Sequence, residues 1–217
     1  MSQLTPSQAW TALREGNDRF VRGEMAHPSQ GIDRRVEVST SQHPFAVLFG
    51  CSDSRVASEI IFDQGLGDLF VVRTAGHVLD TTVIGSIEYG VEILGAPLVV
   101  VLGHESCGAV AAATQALTTG EQARGFVRAV VDRVIPSIVS LVHDPNGGQT
   151  DLTKVSAADL GREHVRHTVD MLRGYSLALA EAIDEGRVAV VGVEYALSDG
   201  VARLTSAIGD VGEEPSA

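Results

Sequence analysis

Four short stretches of the chain are continuously apolar: Phe45 to Phe49, Leu69 to Val72, Leu98 to Leu102, and Val188 to Val193. Runs of that length, stopped by Gly50, Arg73, Gly103 and Glu194, have the pattern of strands buried on both faces. Between them, apolar residues recur at helical spacing. The predicted helices cover Val56 to Phe62, Thr81 to Leu94, Cys107 to Leu117, Gln122 to Val142, Ala157 to Arg173 and Tyr175 to Glu185. Gly95 with Pro97, Gly174 and Gly186 punctuate them, and Pro136 is expected to bend or interrupt the fourth. Ser198-Asp199-Gly200 turns the chain into Val201 to Leu204, an antiparallel edge strand. Asp144 to Gly148 reads as a loop and Asp210 to Ala217 as a frayed tail.

Strands alternating with helices predict an α/β fold. It is a three-layer, mostly parallel sheet of about four strands plus an antiparallel edge strand, with helices on both faces. The chain reads as a single domain over 1–217, with residues 1–40 as an N-terminal helical arm. Within that arm Pro6 to Arg22 is amphipathic through Trp10, Leu13, Phe20 and Val21, with Thr5 as N-cap and Pro6 at the first helical position. Two partners for its apolar face stay open, the chain's own core and a second subunit. Gly23 to Gly31 reads as a loop.

Composition narrows the function. Hydrophobic residues make up 44% and aromatic residues 5%, so the core is aliphatic, as a buried parallel sheet requires. A formal net charge of −12 argues against nucleic acid or an anionic membrane as partner. Two cysteines are too few for a disulfide framework, and Met1 to Pro6 has neither the basic flank nor the apolar run of a signal peptide. No apolar run approaches the ~20 residues of a membrane span. A cytoplasmic protein is expected.

Ligands of open α/β sheets bind beyond the carboxyl ends of the strands, where the winding reverses. Cys51 follows the first predicted strand and His104 the third, with Cys107 three residues on. Two thiols and an imidazole make three of the four ligands of a zinc site, and a catalytic zinc leaves its fourth position to water or substrate. The competing reading is that both thiols are inert and buried. It leaves their shared position at the sheet edge without a reason.

Cys51-Ser52-Asp53-Ser54-Arg55 together with Gly103-His104-Glu105-Ser106-Cys107-Gly108 resembles the paired signature of the β-class carbonic anhydrases. The similarity extends from Gln42 through Phe70 to Arg73 and Ile87-Glu88-Tyr89 to Val193-Glu194-Tyr195. The resemblance implies reversible hydration of carbon dioxide to bicarbonate and a proton by zinc-bound hydroxide. It implies one Zn²⁺ per chain on Cys51, His104 and Cys107, and a catalytic dyad of Asp53 and Arg55. Two thiolates cancel the charge of Zn²⁺, so bound water should be acidified less than by three imidazoles. Asp53 is then expected to orient the hydroxide while Arg55 holds it ionised. Freed from Arg55, Asp53 could itself bind zinc and close the site.

The same resemblance places Gln42, Phe70, Tyr89, Gly108 and Ala75 around the substrate, as in the plant-like open subclass. Ala75 replaces a larger apolar residue there, which widens the pocket. Leu48 stands where the bicarbonate-inhibited subclass carries Trp, whereas Arg73 and Tyr195 are shared with that subclass. A homodimer or dimer of dimers is implied, in which Gln42, Phe70 and Tyr89 of one chain face zinc held by the other and the N-terminal helix reaches across the partner. Two alternatives carry other chemistry: a thiol redox or metal-sensing protein with a reversible Cys51–Cys107 disulfide, and a zinc lyase acting on carbon disulfide or carbonyl sulfide.

Other candidates are weaker. His164 and His167, beside Glu163, read as a solvated helix face rather than a second metal pair. His27, His43 and His143 fall in or near loops. His77 lies near the crevice, a structural histidine before a proton shuttle. Gly65-Leu66-Gly67 precedes a strand and so is no phosphate loop.

Overall fold

Each apolar run becomes a strand because a segment without polar side chains is stable only where both faces are covered. The computed structural model describes residues 4–142 and 151–216. The strands are β1 (Ala46–Cys51), β2 (Leu69–Thr74), β3 (Leu98–His104), β4 (Ala189–Tyr195) and β5 (Ala202–Ile208). They form one sheet in the order β2-β1-β3-β4-β5, parallel except for the antiparallel β4–β5 pair. From β1 the chain moves to one side to make β2 and then crosses to the other side to make β3. The winding therefore reverses between β1 and β3, and a crevice opens there beyond their carboxyl ends.

Helices α1 (Pro6–Arg22) and α3 (Ser58–Ile61) cover one face, where Trp10, Leu13, Ile61 and Phe62 meet Leu48, Val100, Val191 and Leu204. Helices α4 (Thr81–Glu88), α7 (Ala157–Tyr175) and α8 (Leu177–Asp184) cover the other, where Val83, Ile87, Val165, Val169 and Leu179 meet Val47, Phe49, Val99, Val101 and Val190. Alternate residues of β1 and β3 thus supply opposite faces, the period of two that a strand imposes. A third cluster joins α5 (Gly108–Thr119) and α6 (Val127–Val142) to Cys51 and Cys107.

The N-terminal helix takes the first of its two open partners. Thr5 and Gln8 form a capping box, Gly23 closes the helix in the left-handed region, and Ala9, Trp10 and Leu13 are buried on the chain's own sheet. Fully burying a side chain the size of Leu13 is worth roughly 1.5–3 kcal/mol, which holds the helix to the sheet. Arg19 Nε adds a 2.6 Å bond to Asp63 Oδ2.

Several boundaries differ from the sequence reading. A short helix α2 (Ile32–Glu37) follows the predicted loop, while α3 keeps only four residues of the expected seven-residue helix. Beyond α4 the predicted helix continues as a π-helical turn at Tyr89–Ile93. Helix α6 begins at Val127 and runs through Pro136: one lost backbone bond is outweighed by the burial of Val134, Ser137 and Ile138. Helix α7 runs through Gly174 and stops at Ser176, whose hydroxyl caps α8 through Leu179 N–H. The expected frayed tail is held down: Val211 is buried, Trp10 Nε1 donates to Glu213 Oε2 at 2.9 Å, and Ser216 N–H bonds to Leu204 O. His143 and the loop Asp144 to Gly148 lie outside the described residues. Among those described, no helix is long and apolar enough to cross a membrane.

Candidate metal centre

Strands β1 and β3 are neighbours in register, Gly50 opposite Leu102, so their carboxyl ends lie side by side. That register brings Cys51 beside His104 although 52 residues separate them. After His104 the chain turns tightly, with Ser106 at φ +54°, and Cys107 becomes the residue preceding α5. The ligand atoms of Cys51, His104 and Cys107 all lie within 4.8 Å of one another, and all three residues are buried.

The imidazole is oriented by its far side. His104 Nδ1 is 2.8 Å from Glu105 O, and a carbonyl only accepts, so Nδ1 carries the proton and Nε2 presents its lone pair to the thiols. That Nε2 is buried without a hydrogen-bond partner among the described residues. A buried bare acceptor is costly unless something binds it. Two sulfurs and one imidazole nitrogen form a donor set suited to Zn²⁺, and the orphaned nitrogen points to the same occupant.

Electrostatics favour one deprotonated sulfur, on Cys51. Cys51 is lowered to about 4, chiefly because the Cys107 thiol donates to it, with Gly76 N–H adding to this against the cost of burial. Cys107 is raised because it holds the proton shared with Cys51. Gly76 N–H reaches Cys51 Sγ at 3.3 Å.

Asp53 and Arg55 lie beside the cluster. Asp53 Oδ1 accepts from Arg55 N and Nε, both at 2.9 Å, and Oδ2 accepts from Nη2 at 2.7 Å. The Arg55 side chain, and then its backbone N–H, holds the Asp53 carboxyl well below the usual carboxylate range. Asp53 Oδ2 is 3.9 Å from His104 Nε2. Arg73, at the end of β2, donates to Cys51 O at 2.9 Å and Asp53 O at 2.7 Å, tying down the loop that carries Cys51, Asp53 and Arg55. Sequence reasoning gave Arg73 no such role. The signal was available in the parallel pairing of β1 with β2, which sets Gly50 opposite Arg73.

The other expected residues fall into separate groups. Phe70 and Tyr89 meet each other, ring centroids 6.0 Å apart, with Tyr89 exposed. Gln42 is exposed ahead of β1. Neither the aromatic pair nor Gln42 is hydrogen-bonded to the cluster of its own chain among the described contacts. Ala75 and Gly108 are exposed next to Gly76 and Cys107. A cavity of about 450 Å³ opens from His104 and Cys107 along α5 and α7, walled by Val110, Ala111, Thr114 and Leu160.

Two histidines depart from expectation. His164, expected on a solvated face, is buried at 1% exposure, and Glu163 beside it is buried too. His77 is 2% exposed with φ +40°, its ring 4.3 Å from that of His164. Neither nitrogen of His77 has a partner among the described residues, and burial pushes its pKa well down, so it is a neutral ring rather than a satisfied one. His27 and His43 are exposed, and His27 contributes only its backbone N–H, to Asp63.

The sequence model of the carbonic anhydrase family matches residues 46–202. The chain is 52% identical over 213 residues to a carbonic anhydrase of Mycolicibacterium smegmatis, covering 98% of this chain and 100% of the relative. It is 52% identical over 214 residues to carbonic anhydrase 2 of Mycobacterium tuberculosis, covering 99% and 100%. Among solved structures, a β-carbonic anhydrase of Aspergillus fumigatus superposes with a TM-score of 0.68 at 24% identity, over 94% of this chain and 92% of that one. One from a study of two tetrameric β-carbonic anhydrases of Sordaria macrospora gives 0.67 at 22%, over 78% and 84%.

Proposed function

The chain belongs to the β-class carbonic anhydrase family, and from that premise we propose that Cys51, His104 and Cys107 hold one Zn²⁺ per chain while Asp53 and Arg55 act on the reacting water. Its activity is the reversible hydration of carbon dioxide to bicarbonate and a proton. The observation that carries the site assignment is the convergence of two thiols on an imidazole nitrogen that is otherwise buried without a partner. Zinc, when bound, supplies the Lewis acidity that makes water nucleophilic near neutral pH.

The chain's own groups then divide the work. Asp53 Oδ2, 3.9 Å from His104 Nε2, accepts a hydrogen bond from the reacting water and so turns the water oxygen's lone pair toward the carbon of carbon dioxide. Its carboxyl is held well below the carboxylate range by Arg55, so Asp53 stays ionised and orients water without storing the released proton. That proton leaves to solvent, which reaches the half-exposed Arg55 at the mouth. By binding both carboxylate oxygens, Arg55 also keeps Asp53 away from the ligand position.

This pairing supports the open form of the site, and Leu48 in place of Trp supports the plant-like subclass. Gln42, Phe70 and Tyr89 complete the pocket of a second copy, with Ala75 and Gly108 at its edge. The exposure of Gln42 and Tyr89 supports a homodimer or a dimer of dimers, as does the fold shared with the tetrameric Sordaria proteins. The proposed compartment is the cytoplasm. Stopped-flow hydration across pH, on protein of measured zinc content, tests the reading. The expected result is one zinc per chain, with Asp53→Ala keeping zinc and losing turnover. A metal-free protein whose thiol count follows redox state would replace it with the thiol redox reading, and a fully active monomer would remove the shared pocket.

A further inference from the structure

Cys51 accepts a backbone hydrogen bond from Gly76, and that residue is held in turn by a histidine from a distant helix. Gly76 sits in the 3₁₀ turn after β2 at φ +65°, ψ 22°. Its N–H points at Cys51 Sγ, 3.3 Å away, and its carbonyl points the opposite way, to His164 Nε2 at 2.8 Å. His164 comes from α7, 88 residues on in the sequence, and its other nitrogen, Nδ1, is 2.8 Å from Ser137 Oγ on α6.

The proton positions along this chain follow from its ends. The Gly76 carbonyl only accepts, so His164 Nε2 must be the donor. Burial lowers His164 to about 4, so the ring is neutral and carries one proton. Nδ1 is therefore bare, and it meets the Ser137 hydroxyl, which also lies 2.6 Å from Val134 O. The His77 ring, centroids 4.3 Å apart and planes tilted by 34°, packs against the His164 ring and limits its rotation. A satisfied imidazole buried at 1% exposure, aimed at the backbone of a ligand-holding turn, is the arrangement that orients a metal ligand from outside its own set.

We propose that His164, set by Ser137, is a positioning residue of the metal centre: it fixes Gly76 so that the Gly76 N–H donates to Cys51 Sγ. The hydrogen bond withdraws charge from the sulfur and fixes its direction, so Cys51 donates less to a bound metal and holds it in one geometry. The inference rests on Cys51 being a metal ligand.

The test uses the full-length chain loaded with cobalt(II) in place of zinc, together with zinc competition against a chelator. His164→Phe keeps an aromatic ring but no donor, and His164→Gln keeps an amide N–H near the position of Nε2. Ser137→Ala removes the hydroxyl that faces Nδ1, together with its bond to Val134 O, and leaves the ring in place. The sulfur-to-cobalt charge-transfer band is expected to move to lower energy in His164→Phe and, by less, in Ser137→Ala. Zinc affinity should fall about tenfold or more in His164→Phe. His164→Gln should return both readouts toward those of the parent chain. If His164→Phe does not fold, Ser137→Ala decides alone. A merely structural histidine would lower Tm and leave the band where it was, and a band unmoved in the folded variants overturns the proposal. A parent chain that binds neither zinc nor cobalt overturns the metal reading instead, so the two failures are distinguishable.

Discussion

Replacing Gly76 by alanine adds one methyl group at the point where the turn after β2, the start of α5 and Cys51 come together. Gly76 has φ +65°, a region that costs a non-glycine residue roughly 1–2 kcal/mol. The added Cβ would stand 2.5 Å from Ala109 Cβ, where ordinary contact begins at 3.4 Å. Ala109 cannot swing aside, because its Cβ is fixed to the backbone of the first turn of α5, so turn and helix must separate by about 0.9 Å. Overpacking of this kind costs about 1–3 kcal/mol, bringing the whole to about 2–5 kcal/mol. That is within the 5–15 kcal/mol of a typical domain, so the variant should fold, with Tm lowered by about 4–20 °C at this chain length.

The larger effect should be on rate. Cys107 immediately precedes α5 and Gly76 N–H contacts Cys51, so the separation pulls the two thiols apart. Displacement near 1 Å in a catalytic array costs on the order of 100-fold. Stopped-flow carbon dioxide hydration and calorimetry on Gly76→Ala check both numbers. The double variant Gly76→Ala/Ala109→Gly removes the overlap but keeps the backbone cost, so it should regain most of the rate and part of the Tm. An unchanged rate in Gly76→Ala, or a double variant no better than the single, would refute the reasoning.

Cys51→Ser and Cys107→Ala should each lose zinc and activity together, measured by metal analysis alongside hydration rate, because a thiolate pair shares the site. Asp53→Ala should separate the two, with zinc content near the parent value and kcat lowered about 100-fold or more, the scale of a lost charge-orienting group. Asp63→Asn should destabilise the fold by about 2–3 kcal/mol, lowering Tm by about 4–12 °C near neutral pH. Asp63 has no exposed side chain; burial alone would raise its pKa, but Arg19 and the N–H groups of Ala26 and His27 lower it on balance. Its stabilisation is therefore complete above the unfolded carboxyl value of about 3.9 and is lost as pH falls through the lower folded value, so the two melting curves should converge in acid.

The strands were legible because a parallel sheet covered on both faces needs unbroken apolar runs, and Cys51 and His104 could be placed together because both terminate such runs. The pairing of Asp53 with Arg55 and the placing of Cys107 beside His104 were legible because each pair is two or three residues apart. His164 was misread because its helical neighbours Glu163 and Arg166 are charged and its own partners lie elsewhere: Ser137 is 27 residues away and Gly76 is 88. Periodicity does not show that a polar residue on a core-facing stripe is satisfied by a remote carbonyl. The tail was misread for the same reason, since Glu213 is fixed by Trp10 and Arg14 from the other end of the chain. The shortening of α3 and the π-helical turn at Tyr89–Ile93 depend on local packing, which side-chain polarity alone does not encode.

The contact of Glu213 with Trp10 and Arg14 brings the beginning and the end of the described chain to one spot. A short linker between those ends, with new termini opened in the exposed irregular stretch from Gly120 to Gly125, would give a circularly permuted polypeptide. In such a chain α5 would lie at one end and α6 at the other, yet β1 and β3 would still pair and Cys51 would still face His104. The order of the elements along the polypeptide is thus separable from the site: the cluster of Cys51, His104 and Cys107 depends on which strands are neighbours, and that adjacency survives cutting the chain elsewhere.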